Sequence, residues 1–329
     1  MKTKIVYVLV SDSSDYYYEQ TLISATSARM WNSDAEIVVV VDDKTNATFD
    51  EKRKALFDVA TRKIVVELPS DMNKKRRSRI LKTTLREWLD GDFIYIDSDT
   101  VVCGSLADVD SFDFEIGAVL DRHMHLQRVR DYQVLAKVEA IGGTFSDGDD
   151  YFNGGVFFVK DTARTHEFFR DWHELYLHGL SVGMDFDQPS LLMCNQKHRL
   201  IHLMDGVYNC QIFLGGLPYL GDARIIHAFN IFGNSSFFLF NDRQFLQKIK
   251  EQGRLTPEDE KRIEMPKRQF QGDYLLFYGD MMGYPQSSLF HLYNESPGCF
   301  RLVEKLGSIL LKFNRNIYNR FSGNKVWRS

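Results

Sequence analysis

The chain has 329 residues, 44% hydrophobic and 26% charged, with a formal net charge of −4. Such a length holds one large domain with an appendage, or two domains, and the composition is that of an ordinary globular protein with a sizeable core. The charge argues against a general nucleic-acid binder, which needs a basic excess to neutralise phosphates, and no window approaches the run of about eighteen apolar residues that a membrane span requires.

Cys103, Cys194, Cys210 and Cys299 form no CxxC pair. Wide spacing suits neither a zinc site nor a dense disulfide framework, so reduced thiols in a cytoplasmic compartment are expected. The opening MKTKIVYVLV has an apolar run only from Ile5 to Val10, too short for a signal-peptide core. The sequons at Asn46, Asn234 and Asn294 are accordingly read as chance matches.

In chain order, Ile5 to Val10 is a buried parallel strand that stops at the polar cluster Ser11 to Asp15. Tyr16 to Trp31 reads as a helix, and Ile37 to Val41 as a second strand stopped by Asp42 and Asp43. Thr48 to Ala60 is expected to be helical, Lys63 to Leu68 strand-like, and Arg79 to Leu89 helical. Phe93 to Ile96 is the next strand, followed by strands at Ile116 to Leu120 and Val156 to Val159 and a helix from Thr162 to Leu177. Short apolar strands alternating with helices indicate βαβ units and a mainly parallel sheet covered on both faces. Ligands of such sheets bind beyond the carboxyl ends of the strands, where Asp12 and Asp97 to Asp99 fall. After Asn241 the alternation fades into charged helical stretches. Two parts are expected: an α/β domain over 1–240 and a mostly helical extension over 241–329.

The stretch FIYIDSDTVV, residues 93–102, ends a buried strand on two carboxylates. Side chains alternate along a strand, so Asp97 and Asp99 point one way and Ser98 the other. Two carboxylates on one side make a hard-oxygen site for Mn²⁺ or Mg²⁺. An Asp-rich turn that merely stops the strand has the same pattern. Three further stretches follow: YFNGGVFFVKD (151–161), FDQPSLL (186–192), and ARIIHAFN (223–230), where a short strand ends on His227.

This ordered set, from Lys4 to Asn230, resembles glycosyltransferase family 8, the retaining nucleotide-sugar transferases that include glycogenin and bacterial lipooligosaccharide galactosyltransferases. The resemblance implies a GT-A-like α/β fold and transfer of a hexose, glucose or galactose, from a UDP-sugar donor to a hydroxyl of a glycan or glycolipid acceptor. It assigns the divalent metal to Asp97, Asp99 and His227, and donor contacts to Ser11, Asp12, Arg79, Lys82 and Ser98. It assigns sugar binding and catalysis to Asp121, Asn153, Asp187 and Gln188. Asp187 before Gln188-Pro189 also reads as a helix N-cap. Asn209 to Gln211 and Leu214 to Leu220 are expected in the acceptor pocket.

One feature departs from the family. Asn230 and Gly233 stand where its members often carry a glycine and a phosphate-binding lysine; a basic residue from the stretch 74–86 is expected to compensate. On a helix Arg79, Lys82 and Arg86 share a face, whereas Lys74 to Arg77 read as a solvated face or loop.

From Arg301 onward the chain carries seven basic residues and a single acid, Glu304. Leu302, Leu306, Ile309, Leu310, Phe313, Ile317 and Phe321 recur at helical spacing among them. Such a basic amphipathic helix suits an anionic membrane surface, giving a peripheral location on the inner face of the cell membrane; packing on the protein's own body is the competing reading. Two rival functions are a non-catalytic glycan- or membrane-binding protein on a transferase scaffold and a sugar nucleotidyltransferase. The latter usually carries a glycine-rich loop after its first strand, and SDSSDYYY contains no glycine.

Overall fold

A computed structural model describes residues 1–69, 71–125, 132–146, 148–212, 214–228, 242–267, 292 and 295–321. Seven strands form the central sheet: β1 (Lys4–Leu9), β2 (Ile37–Asp42), β3 (Arg62–Val66), β4 (Phe93–Ile96), β6 (Ile116–Leu120), β7 (Phe152–Val159) and β8 (Ile201–Leu203), in the order β3-β2-β1-β4-β7-β6-β8. All neighbouring pairs are parallel except those of β7 with β4 and β6. A small second sheet joins β5 (Thr100–Val102), β10 (Ile225–His227) and β9 (Cys210–Gln211), with β10 in the middle.

Period-two alternation divides the core between the two faces of the sheet. Ile5, Tyr7, Leu9, Ile94 and Ile96 pack with Tyr18, Leu22 and Ala25 of the helix Tyr17–Trp31. Val6, Val8, Phe93 and Tyr95 pack with Leu81 of the helix Lys74–Thr83 and with Phe168, Phe169 and Trp172 of the helix Ala163–Ser181. Phe245, Leu246, Ile249 and Ile263, from the helices Arg243–Gln252 and Pro257–Glu264, join the first of these clusters.

The fold is therefore α/β with a largely parallel sheet covered by helices on both faces. Three elements differ from expectation. No helix spans 48–60; helical turns occur only at Asp43–Asn46 and Leu56–Val59. Asp50 accepts from the Lys52 amide at 2.9 Å, a local turn that competes with helix, and the segment folds so that buried Arg53 donates to Ser11 Oγ at 2.7 Å. Strand β7 begins at Phe152 rather than Val156, running through Asn153, Gly154 and Gly155. The helix expected from Arg79 instead starts at Lys74, where Asn73 caps it by accepting from the Arg76 amide at 2.9 Å. Lys74 to Arg77 are thus ordered, and Arg77 is buried in an ion pair with Asp42.

Asn230, Gly233, the sequons at Asn234 and Asn294, and the tail beyond 321 lie outside the described residues.

Candidate active site

The turn Asp97–Asp99 is the junction of the two sheets. Strand β4 ends at Ile96, yet the ladder continues one step, with the Asp97 amide donating to Gly155 O at 2.8 Å. The chain then leaves the main sheet as β5, whose antiparallel register with β10 sets His227 opposite Thr100. That register brings His227 Nε2 to 3.3 Å from Asp99 Oδ1. Ligand atoms of Asp97, Asp99 and His227 all lie within 4.8 Å of one another.

Parity explains which side each residue faces. Asp97 continues the Phe93 and Tyr95 face, where the Tyr95 hydroxyl donates to Asp97 Oδ1 and Lys82 Nζ lies 3.5 Å from the same oxygen. Ser98 faces the helix Tyr17–Trp31 and receives a 2.8 Å bond from Thr21 Oγ1. Burial, reinforced by the Asp97 charge, pushes the Tyr95 hydroxyl far above its ordinary value, so it stays a donor.

Asp187 is buried against two cations: Arg79 Nε at 3.0 Å and Lys82 Nζ at 3.4 Å. Burial pushes its carboxyl up, but Arg79 and Lys82 outweigh that and hold it below the ordinary range. Asp187 also precedes the helix Gln188–His198, although its side chain makes no capping bond there. Gln188 Nε2 donates to Asp121 Oδ1 at 3.3 Å and to Phe152 O at 3.2 Å. Asn153 Nδ2 donates to the same Asp121 oxygen at 2.8 Å. Asp121, Asn153, Asp187 and Gln188 thus surround the strand edge at Gly154 and Gly155.

Gly155 is required by close approach rather than by a turn. A β-carbon on Gly155 would lie 2.3 Å from His227 Cε1 and 2.8 Å from Asp97 Oδ2, well inside van der Waals contact.

Beside the triad lies a cleft of about 490 Å³, lined among others by Tyr17, Lys74, Lys75, Arg79, Ser98 and Asp99. Its size is that of a small-molecule site. Tyr17 is not among the ligand contacts expected from the sequence, and Lys74 and Lys75 are expected there only as members of the basic stretch 74–86. Tyr17 is 52% exposed, an aromatic left in water at the start of a helix, which is the one signal that could have found it. Ser11 and Asp12 sit behind this lining. The Ser11 hydroxyl bonds Asp15 and Arg53. Asp12 pairs with Lys74 at 2.6 Å, and that bond, with those from Ser14, holds its carboxyl far below the usual range.

Two expectations are corrected. Arg86 does not reach the cleft: it is buried over the Phe93 ring and donates to the carbonyls of Leu89 and Gly91, closing the turn before β4. Asn209, Cys210 and Gln211 are buried in the small sheet and its entry, so they scaffold rather than line an acceptor surface. Gln211 accepts from the Arg122 amide at 2.7 Å and donates to Leu120 O at 2.8 Å. It thereby fixes the turn after Asp121, where Arg122 and His123 both adopt left-handed backbone (φ 58° and 53°), a costly conformation for such residues. His123 Nε2 accepts from the Gln211 amide at 3.0 Å, and burial with nearby His227 pushes its pKa down to about 4, so the ring is neutral.

Two carboxylate oxygens and one imidazole nitrogen form a donor set that fits Mn²⁺ or Mg²⁺. Tyr95 and Asn209 support the set from outside, as partners of metal ligands do.

No family model and no curated protein sequence matches the chain. Among solved structures, it is similar to the galactosyltransferase LgtC in complex with donor and acceptor sugar analogues (16% identity, 79% of this chain and 100% of that one, TM-score 0.49). It is also similar to mouse xyloside xylosyltransferase 1 (13%, 69% and 98%, TM-score 0.48) and to the glycosyltransferase GlyE of Streptococcus pneumoniae (16%, 80% and 63%, TM-score 0.48).

Proposed function

We propose that the protein is a retaining glycosyltransferase with a GT-A-like fold that moves a hexose from a UDP-sugar to a hydroxyl of a glycan or glycolipid. The convergence of Asp97, Asp99 and His227 beside a cleft lined by an exposed tyrosine and three basic side chains carries this reading.

Asp97, Asp99 and His227 would hold a divalent cation, which would supply Lewis-acid stabilisation of charge on a departing nucleoside diphosphate. Lys74, Lys75 and Arg79 add fixed positive charge along the cleft, which meets the need left by the lysine missing after His227. Tyr17 offers a face for the uracil ring. Asp121, Asn153 and Gln188 present a carboxylate and two amides to the hexose, whose hydroxyls both donate and accept. Gln188 is placed nearest the reacting carbon by the family resemblance. An amide is a poor nucleophile, which favours attack by the acceptor on the face the diphosphate leaves over a covalent glycosyl-enzyme.

The helix Pro297–Phe321 exposes Leu302, Leu306, Ile309, Leu310 and Phe313 among Arg301, Lys305 and Lys312. This pattern supports peripheral attachment to an anionic membrane on its cytoplasmic side; among the described residues no helix is long and apolar enough to cross one. The activity is tested by incubating the protein with Mn²⁺ and a panel of UDP-sugars. UDP should appear with one of them; the absence of both turnover and binding for every one of them would defeat the proposal.

A further inference from the structure

His227 is joined to Asp121 by a chain of side-chain amides whose directions are fixed at both ends. The Gly155 backbone N–H can only donate, so the Asn153 side-chain atom 2.9 Å away is its oxygen. The Asp121 carboxylate oxygen accepts, so the Asn153 atom 2.8 Å from it is the nitrogen. Two independent partners therefore set the orientation of Asn153. Its oxygen lies 3.0 Å from a side-chain atom of Asn209, which must be the Asn209 nitrogen. The Asn209 oxygen then faces His227 Nδ1 at 2.9 Å, and an oxygen there requires a proton on Nδ1. An amide or imidazole orientation is otherwise a matter of choice; here a backbone donor two residues from Asn153 dictates it.

From this geometry we infer that Asn209 is a positioning residue: it holds His227 as the Nδ1–H tautomer, so that the Nε2 lone pair is the one presented beside Asp99. Asn209 is fully buried, which keeps water from competing for the bond. The same amide ties the metal ligand to Asn153 and Asp121, so the two halves of the site cannot shift independently. This inference rests on the metal reading for its consequence, though not for the tautomer itself.

The tautomer is read directly, without metal, from imidazole nitrogen–proton correlation spectra of ¹⁵N-histidine-labelled protein well above the ordinary histidine pKa of about 6.5, with the His227 signals assigned by their loss in His227→Gln. The wild type should show Nδ1–H; a His227 whose Nδ1 carries no proton overturns the inference. Asn209→Leu should mix the tautomers and weaken Mn²⁺ binding, titrated by the paramagnetic resonance of free Mn²⁺, by about ten- to a hundredfold. A folded Asn209→Leu that binds Mn²⁺ as tightly as the wild type also overturns it. Asn209→Asp keeps an acceptor at Nδ1 and should keep the Nδ1–H signature; its loss counts against the assignment even if the leucine variant does not fold. A wild type with the Nδ1–H tautomer that binds no Mn²⁺, with or without UDP, would instead defeat the metal reading.

Discussion

Gly155 lies so close beneath the imidazole of His227 that a single added methyl would sit 2.3 Å from Cε1. Since the backbone of Gly155 also accepts the Asp97 amide and donates to Asn153, it cannot retreat without disturbing the other ligands. Gly155→Ala should therefore weaken Mn²⁺ binding and UDP-sugar turnover by about tenfold or more. Metal titration beside a thermal melt checks this, and unchanged Mn²⁺ affinity in the folded variant would refute it.

Replacing Asp97 or Asp99 by asparagine leaves the shape and removes the charge. Loss of Lewis-acid stabilisation worth a few kcal/mol predicts a fall in kcat/KM of about a hundredfold or more for each, measured as UDP release at saturating Mn²⁺.

Asp187 links pH to stability. Its folded-state pKa is depressed by Arg79 and Lys82 against the opposing effect of burial. A depressed carboxyl contributes stability above its unfolded value of about 3.9 and loses that contribution as pH falls through the folded value. Denaturant midpoints should thus fall below pH about 4 less steeply in Asp187→Asn than in the wild type. At neutral pH that variant should be less stable by about 3 kcal/mol, because Arg79 and Lys82 lose a buried partner.

Tyr17 is predicted to act on the donor alone. Tyr17→Ala should weaken UDP binding by about two- to twelvefold, the worth of one aromatic stacking contact of about 0.5–1.5 kcal/mol, while changing kcat little. Calorimetric titration of UDP with Mn²⁺ separates the two.

Truncation after Arg301 removes the exposed apolar and basic helix. Binding to vesicles containing anionic lipid should be lost while turnover of a soluble acceptor persists; equal vesicle binding by both forms would exclude this helix as the anchor.

Much of the fold was legible because buried parallel strands announce themselves as short β-branched runs: Ile37 and Ile116 begin their strands as expected, and the alternation at Asp97 and Ser98 follows from Phe93 onward. What escaped depends on contacts between distant segments. Asn153, Gly154 and Gly155 are expected only to lead into a strand, yet β7 runs through them, and at Gly155 His227 and Asp97 pack against backbone that carries no side chain. Asn209 is expected from the sequence in an acceptor pocket, and only the pairing of β9 with β10 brings it under His227. Arg86 shared a helical spacing with Arg79 and Lys82, but the helix ends at Thr83 and the following turn carries it away.

Asp97, Asp99 and His227 are proposed to hold a divalent cation together. Titrating Mn²⁺ in the presence of UDP, followed by the resonance of the free ion, tests it most directly. The wild type should sequester stoichiometric Mn²⁺, and Asp97→Asn, Asp99→Asn and His227→Gln should each lose it; variants that retain wild-type Mn²⁺ binding would contradict the claim.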